Sequence, residues 1–87
     1  MIFFLYYSRN KYPYHRFAIS INRKVGNSVQ RSYIKRKMKE LFRLNQGLVG
    51  NKHDLWIVMK KRFGREQGAE IEKMFLDSLV KIDSNRR

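Results

Sequence analysis

The stretch Asn22–Arg43, NRKVGNSVQRSYIKRKMKELFR, restricts the fold more than any other part of the chain. After Gly26 it runs without proline or glycine as far as Gly47, which predicts a helix entered from a tight basic turn. Gly26 allows that turn a backbone conformation that other residues resist. Asn27 or Ser28 supplies the N-cap by accepting a bond from a free N–H. On a helical wheel Ile34, Met38, Leu41 and Phe42 share one face. Lys35, Arg36, Lys39 and Arg43 gather on the neighbouring face, Arg31 falls at the boundary one turn before Lys35, and Lys37 points elsewhere. Glu40 is the single acid of the stretch. One side of this helix therefore packs, and the side next to it is strongly positive. Such a cluster of cations destabilises an isolated helix, which makes a polyanion the expected partner.

The segments on either side read as strands and a second helix. Ile2–Tyr7 has no polar break and suits a strand covered on both faces, with Ile2, Phe4 and Tyr6 on one side and Phe3, Leu5 and Tyr7 on the other. Ser8–Tyr14 holds the only proline, Pro13, and reads as a turn. In Arg16–Asn22 the period of two is clean: Phe17, Ile19 and Ile21 point one way, Ala18, Ser20 and Asn22 the other. Two strands joined by a short turn suggest an antiparallel hairpin. Gly47 and Gly50 end the basic helix. Leu55–Met59, LWIVM, reads as a buried central strand with Trp56 in the core. Lys60–Gly68 is a basic loop. Ile71, Met74, Phe75, Leu79 and Ile82 then recur at helical spacing, and the tail Asp83–Arg87 is expected to fray. The order is β-β-α-β-α, an α+β domain whose β-α-β crossover is assumed right-handed by the general rule.

With 87 residues there is room for one domain, 1–87. A hydrophobic share of 43% is enough for a modest core, which argues against a disordered basic tail. Twenty Lys+Arg against seven Asp+Glu give a net charge of +13, and self-repulsion on that scale points to a polyanion. Nucleic acid leads, because each neutralised phosphate releases counterions. A membrane surface would need the apolar face of the basic helix to be free, and that face is committed to the core. The opening apolar run is too short to span a bilayer and lacks the marks of a signal peptide. The absence of cysteine removes disulfides, thiolate metal sites and cysteine nucleophiles, and it fits a cytoplasmic setting.

Catalytic signatures are scarce. His15 and His53 are the only histidines, one beside a strand start and the other in a polar loop, and both read as solvated or capping residues. The acids form no metal-ligand spacing, and Gly64–Gly68 lacks the Lys-Ser/Thr of a phosphate loop. No catalytic residue and no metal ligand is expected on the chain. Most aromatics are assigned to the core. Tyr6 stands equally well as core or as a stacking platform on an open sheet face.

AISINRKVGNSVQRSYIKRKMKELFR resembles the signature of the bacterial ribonuclease P protein component. That family shows Lys-x-Gly, then Ala-x-x-Arg-Asn-x-x-Lys-Arg and a later Arg-Glu. Lys24, Gly26, Arg31, Lys35, Arg36 and Glu40 match at the family's spacing, while Ser28, Ser32 and Lys39 replace its Ala, Asn and Arg. Lys39 keeps the charge but loses the bidentate fork. FFLYY and DLWIVMKKRFG resemble the family's first strand and the strand after its helix. Relative to the family's pattern the sequence reads as N-terminally short, without the aromatic-bearing first helix. The resemblance implies an α+β sandwich with a left-handed crossover, against the general rule. It implies the protein subunit of a ribozyme whose RNA, using Mg2+, removes the 5′ leader of precursor tRNA by endonucleolytic cleavage. Lys24, Arg31, Ser32, Lys35, Arg36 and Lys39 would bind the ribonuclease P RNA, and Tyr6 would face the leader. No cofactor held by the protein, no membrane and no obligate protein partner is expected. The competing reading is a non-catalytic, ribosome-associated RNA-binding module.

Overall fold

The computed structural model describes residues 2–84. Three strands and two helices follow in the order β1 (Phe3–Arg9), β2 (Arg16–Ile21), α1 (Ser28–Asn45), β3 (His53–Met59) and α2 (Gly68–Ser84). Single 3-10 turns at Arg23–Val25, Gln46–Leu48 and Arg65–Gln67 precede or follow the helices. The tail expected to fray from Asp83 is helical as far as Ser84, where α2 ends; its remaining residues, 85–87, lie outside the described residues.

The sheet order is β1-β3-β2. β3 pairs antiparallel with β1, Tyr6 opposite Trp56, and parallel with β2, Ala18 opposite Trp56. The central position expected of Leu55–Met59 is therefore correct, and β2-α1-β3 is the parallel crossover unit. The expected β1–β2 hairpin is not formed. The turn between Arg9 and Arg16 instead crosses the end of β3, a span of roughly 10 Å at the usual strand spacing. Asn10 fastens that turn: its N–H donates to the Lys52 carbonyl at 3.0 Å and its Nδ2 to Asp54 Oδ1 at 2.9 Å.

Both helices lie on one side of the sheet. Phe17 stacks on Phe42 of α1 at 4.7 Å between ring centroids and meets Phe75 of α2 edge-on at 6.4 Å. Phe3 meets Phe75 at 6.3 Å. Around these rings pack Ile34, Met38 and Leu41 from α1, Leu55, Ile57 and Met59 from β3, and Ile71, Leu79 and Ile82 from α2, all buried. Each such side chain contributes about 1.5–3 kcal/mol relative to exposure. The apolar faces read from the sequence for both helices are thus the ones that pack, with Met74 only half-buried at the margin.

Local chemistry explains the start of α1. Asn27 Oδ1 accepts from the Gln30 N–H at 2.8 Å, and Gln30 Oε1 accepts from the Asn27 N–H at 3.0 Å. This reciprocal capping box satisfies donors that the helix leaves open. Gly26 is needed for a different reason from the one expected. Its φ of 167° is ordinary extended backbone, but a Cβ there would lie 2.5 Å from Gln30 Oε1. Any larger residue displaces the amide that closes the box.

Candidate nucleic-acid interface

The second face of the sheet is uncovered, and this corrects two expectations. β1 is not buried on both sides, and Trp56 is not core. Phe4, Tyr6 and Trp56 are 41%, 53% and 48% exposed. Strand alternation sends them away from the helices, because Phe3, Leu55, Ile57 and Met59 take the inner positions. Register sets the outer residues in cross-strand rows. Phe4 lies opposite Val58 and Ser20, Tyr6 opposite Trp56 and Ala18, and Ser8 opposite Asp54 and Arg16. The rings of Tyr6 and Trp56 are 5.4 Å apart, and the Trp56 Nε1–H donates to Ser20 Oγ at 2.9 Å, which fixes the indole across the strand. Ala18 beside them leaves a hollow of about 490 Å³ between Tyr6, Trp56 and Arg16. An aromatic floor of this kind can stack unpaired bases.

The end of this face is tied by charge. Arg16 grips both oxygens of Asp54, Nε to Oδ1 at 2.7 Å and Nη2 to Oδ2 at 2.6 Å. The Arg16 guanidinium beside it, with help from Asn10, holds the Asp54 carboxyl down at about 2. Arg16 also lies 4.6 Å over the Tyr12 ring, and Tyr12 stacks on Tyr14 at 5.5 Å. With Arg16 paired in this way, the open sheet presents chiefly its rings, joined by Lys60, whose Nζ sits 5.5 Å over Phe4.

α1 carries a dense run of positive charge. Ser32, Lys35, Arg36, Lys39 and Arg43 form one exposed stripe and line a shallow groove with Glu40. Arg43 does not belong to the free cations: its Nη2 pairs with Glu40 at 2.6 Å, and Glu40 is held below the usual carboxylate range by that bond. Arg31 is half-buried at the edge of the stripe. Its Nε is out of water and has no hydrogen-bond partner. Lys24 is exposed on the 3-10 turn before α1, where its N–H donates to Asn22 Oδ1. The structure thus brings Arg31, Ser32, Lys35, Arg36 and Lys39 onto one helix, with Lys24 on the turn preceding it and Tyr6 apart from them on the open sheet face.

His53 is not a loop residue. It begins β3, is buried, and shares a hydrogen bond between Nδ1 and the Asn51 carbonyl at 2.8 Å. His15 Nδ1 accepts the His53 backbone N–H at 3.1 Å. Among the described residues no group of three or more His, Asp or Glu gathers where a metal ion could be held, and no helix is long and apolar enough to cross a membrane.

Sequence reasoning missed Trp56 and Phe4 as surface residues, although the alternation that buries Leu55, Ile57 and Met59 already placed Trp56 on the opposite face.

Mixed sheet, helices on one side only, bare aromatic face and cationic helix together define a basic two-layer α+β sandwich. The family model described as ribonuclease P matches residues 2–83. A ribonuclease P protein component of Alkaliphilus metalliredigens is 36% identical over 78 residues, 90% of this chain and 70% of that relative. One of Syntrophomonas wolfei is 34% identical over 77 residues, 88% of this chain and 65% of that relative. The chain thus spans less than two thirds of the second relative's length. The fold superposes on the RNase P protein from Thermotoga maritima with a TM-score of 0.76 over 93% of this chain and 77% of that one, at 24% identity. A Staphylococcus aureus RNase P protein mutant gives 0.71 at 26% identity, over 95% and 70%. The chain belongs to the ribonuclease P protein family, as the motif around α1 implied.

Proposed function

We propose that this chain acts as the protein subunit of ribonuclease P, holding the catalytic RNA on α1 and the 5′ leader of precursor tRNA on the open face of the sheet. The observation that carries this reading is the division of the surface into a cationic helix stripe and a separate aromatic floor. The stripe suits the regularly spaced phosphates of a folded RNA. Lys35, Arg36 and Lys39 present charge, Ser32 a hydroxyl, and Arg31 a partly buried guanidinium whose Nε lacks an acceptor. A phosphate oxygen satisfies such a donor with a charge-assisted bond. Lys24 extends the positive surface onto the preceding turn. Tyr6 and Trp56 suit an unpaired strand, whose bases have free faces.

In this arrangement the protein supplies no nucleophile or general base. Its residues position two RNAs and screen their repulsion, and the Mg2+-assisted hydrolysis of the leader belongs to the RNA subunit. The setting is the cytoplasm, where precursor tRNA is made. Reconstitution tests the reading. Purified chain added to bacterial ribonuclease P RNA at low Mg2+ is expected to stimulate leader removal from precursor tRNA. A folded chain that binds the RNA without stimulating cleavage would favour a non-catalytic RNA-binding module instead.

A further inference from the structure

A further groove adjoins the cationic stripe of α1. It has a volume of about 760 Å³ and runs between the first half of α1 and the connection from β3 to α2. Its wall is aromatic: Tyr33, half-buried, meets the buried Phe63 edge-on at 6.1 Å. Its rim is cationic, formed by Arg36 of α1 and by Arg62 and Arg65 of the connection. Among the described residues none of these three guanidiniums pairs with a carboxylate. One acid, Glu66, lines the groove, so the rim keeps a net positive charge. The Arg65 guanidinium stands 6.0 Å over the Tyr33 ring, the outer limit of a cation–π contact. That contact is weakly held and can be exchanged for another flat group.

We propose that this groove receives an unpaired nucleotide of the RNA held on α1, its base against Tyr33 and its phosphate among Arg36, Arg62 and Arg65. The proposal rests on the reading that α1 holds RNA. Continuity supports it: Ser32 and Arg36 line both this groove and the cationic groove along α1. A strand followed along the helix stripe therefore arrives at the groove mouth. The chemistry fits a nucleotide better than a phosphate alone, because the wall behind the guanidiniums is an aromatic surface that a bare anion does not use.

The test measures affinity of the full chain for bacterial ribonuclease P RNA. Arg62 and Arg65 are exposed, so the double variant Arg62→Ala/Arg65→Ala is expected to fold, checked by circular dichroism, and to bind about ten-fold more weakly. Tyr33→Leu is expected to lose about ten-fold while Tyr33→Phe retains affinity, since stacking needs the ring and not the hydroxyl. Ultraviolet crosslinking of the wild-type complex is expected to mark Tyr33 or Phe63, a readout independent of whether Tyr33→Leu folds. Wild-type affinity in the arginine double variant, alongside weakened binding by Lys35→Ala, overturns the groove and leaves the α1 interface standing. Weakened binding by the arginine variant, with Tyr33→Leu unaffected and no crosslink in the groove, reduces it to a phosphate contact and overturns base insertion. No effect from Lys35→Ala or from the arginine variant overturns both readings.

Discussion

Both faces of one three-stranded sheet carry large aromatic and aliphatic residues, and these meet opposite fates. On the inner face Phe3, Leu55, Ile57 and Met59 are sealed by two helices. On the outer face Phe4, Tyr6, Trp56 and Val58 have the same aromatic and aliphatic character but no layer over them. Hydrophobicity alone therefore does not assign a role here. The inner residues stabilise the fold by leaving water, whereas the outer rings form a contiguous exposed apolar surface of the sort that marks an interaction site.

Substitutions on neighbouring positions of β3 test this division most severely. Ile57→Ala removes a fully buried side chain and is expected to cost about 2–5 kcal/mol in urea denaturation. Trp56→Ala, one residue away, loses the bond to Ser20 and the Tyr6 ring contact, worth about 1–2 kcal/mol together. Equal losses would erase the distinction between the faces. In leader binding the order is expected to reverse. Tyr6→Ala and Trp56→Ala are expected to reduce the preference for leader-bearing over mature tRNA by about ten-fold. An equal fall in affinity for both tRNAs would return these rings to a structural role.

The cationic stripe sharpens the comparison from the other side, since it acts by charge. Lys35→Ala or Arg31→Ala is expected to lower the salt slope of RNA binding by about one unit. Arg43→Ala is expected to change it less, because Glu40 already occupies that guanidinium. A similar drop at Arg43 would show that the pair opens when RNA arrives.

The smallest expected effect is in acid. Asp54 in the fold titrates at about 2, below its ordinary 3.8, so the unfolded chain takes up that proton first. The contribution of the Arg16–Asp54 pair is complete above about pH 4 and is lost as pH falls toward 2. His15 is also pushed down, first by burial and then by the Lys52 charge. Its contribution is complete above the unfolded value of 6.5 and falls away below it. Denaturation midpoints are therefore expected to decline in two stages on acidification, the first removed by His15→Asn and the second by Asp54→Asn. A profile flat from pH 7 to pH 5 would remove His15 from this account.

Local signals were legible in the sequence and pairings were not. The apolar stripe of α1 and the Asn27 cap depend on residues within a turn or two of each other, so periodicity and capping chemistry reveal them. Leu55–Met59 announced a central strand by its own composition. The partner of β1, by contrast, lies beyond α1, and nothing in Phe3–Arg9 distinguishes pairing with β2 from pairing with β3. Trp56 was misplaced because a continuous apolar run conceals which of two alternating sets is covered; that depends on where the helices lie. Arg43 groups with the other cations because a wheel shows faces, whereas the rotamer that joins it to Glu40 is a property of the folded side chains. The expected RNA-binding residues from Lys24 to Lys39 come from the family motif that the sequence resembles, and the rings beside Tyr6 only from the sheet register.

The place of β3 between β1 and β2 has a consequence for synthesis. Neither outer strand has a hydrogen-bonding neighbour until residues 53–59 have left the ribosome. Up to that point the nascent chain can hold the capped helix α1, a local structure, but no sheet at all. Both strand pairings therefore wait for β3 and close long loops, the kind of non-local step that slows folding. During the wait two apolar strands stand with bare edges, a state open to association with other chains. A ribosome-bound series of lengthening chains would place the onset of sheet structure at the emergence of Met59, and not at Ile21 where a hairpin would have closed.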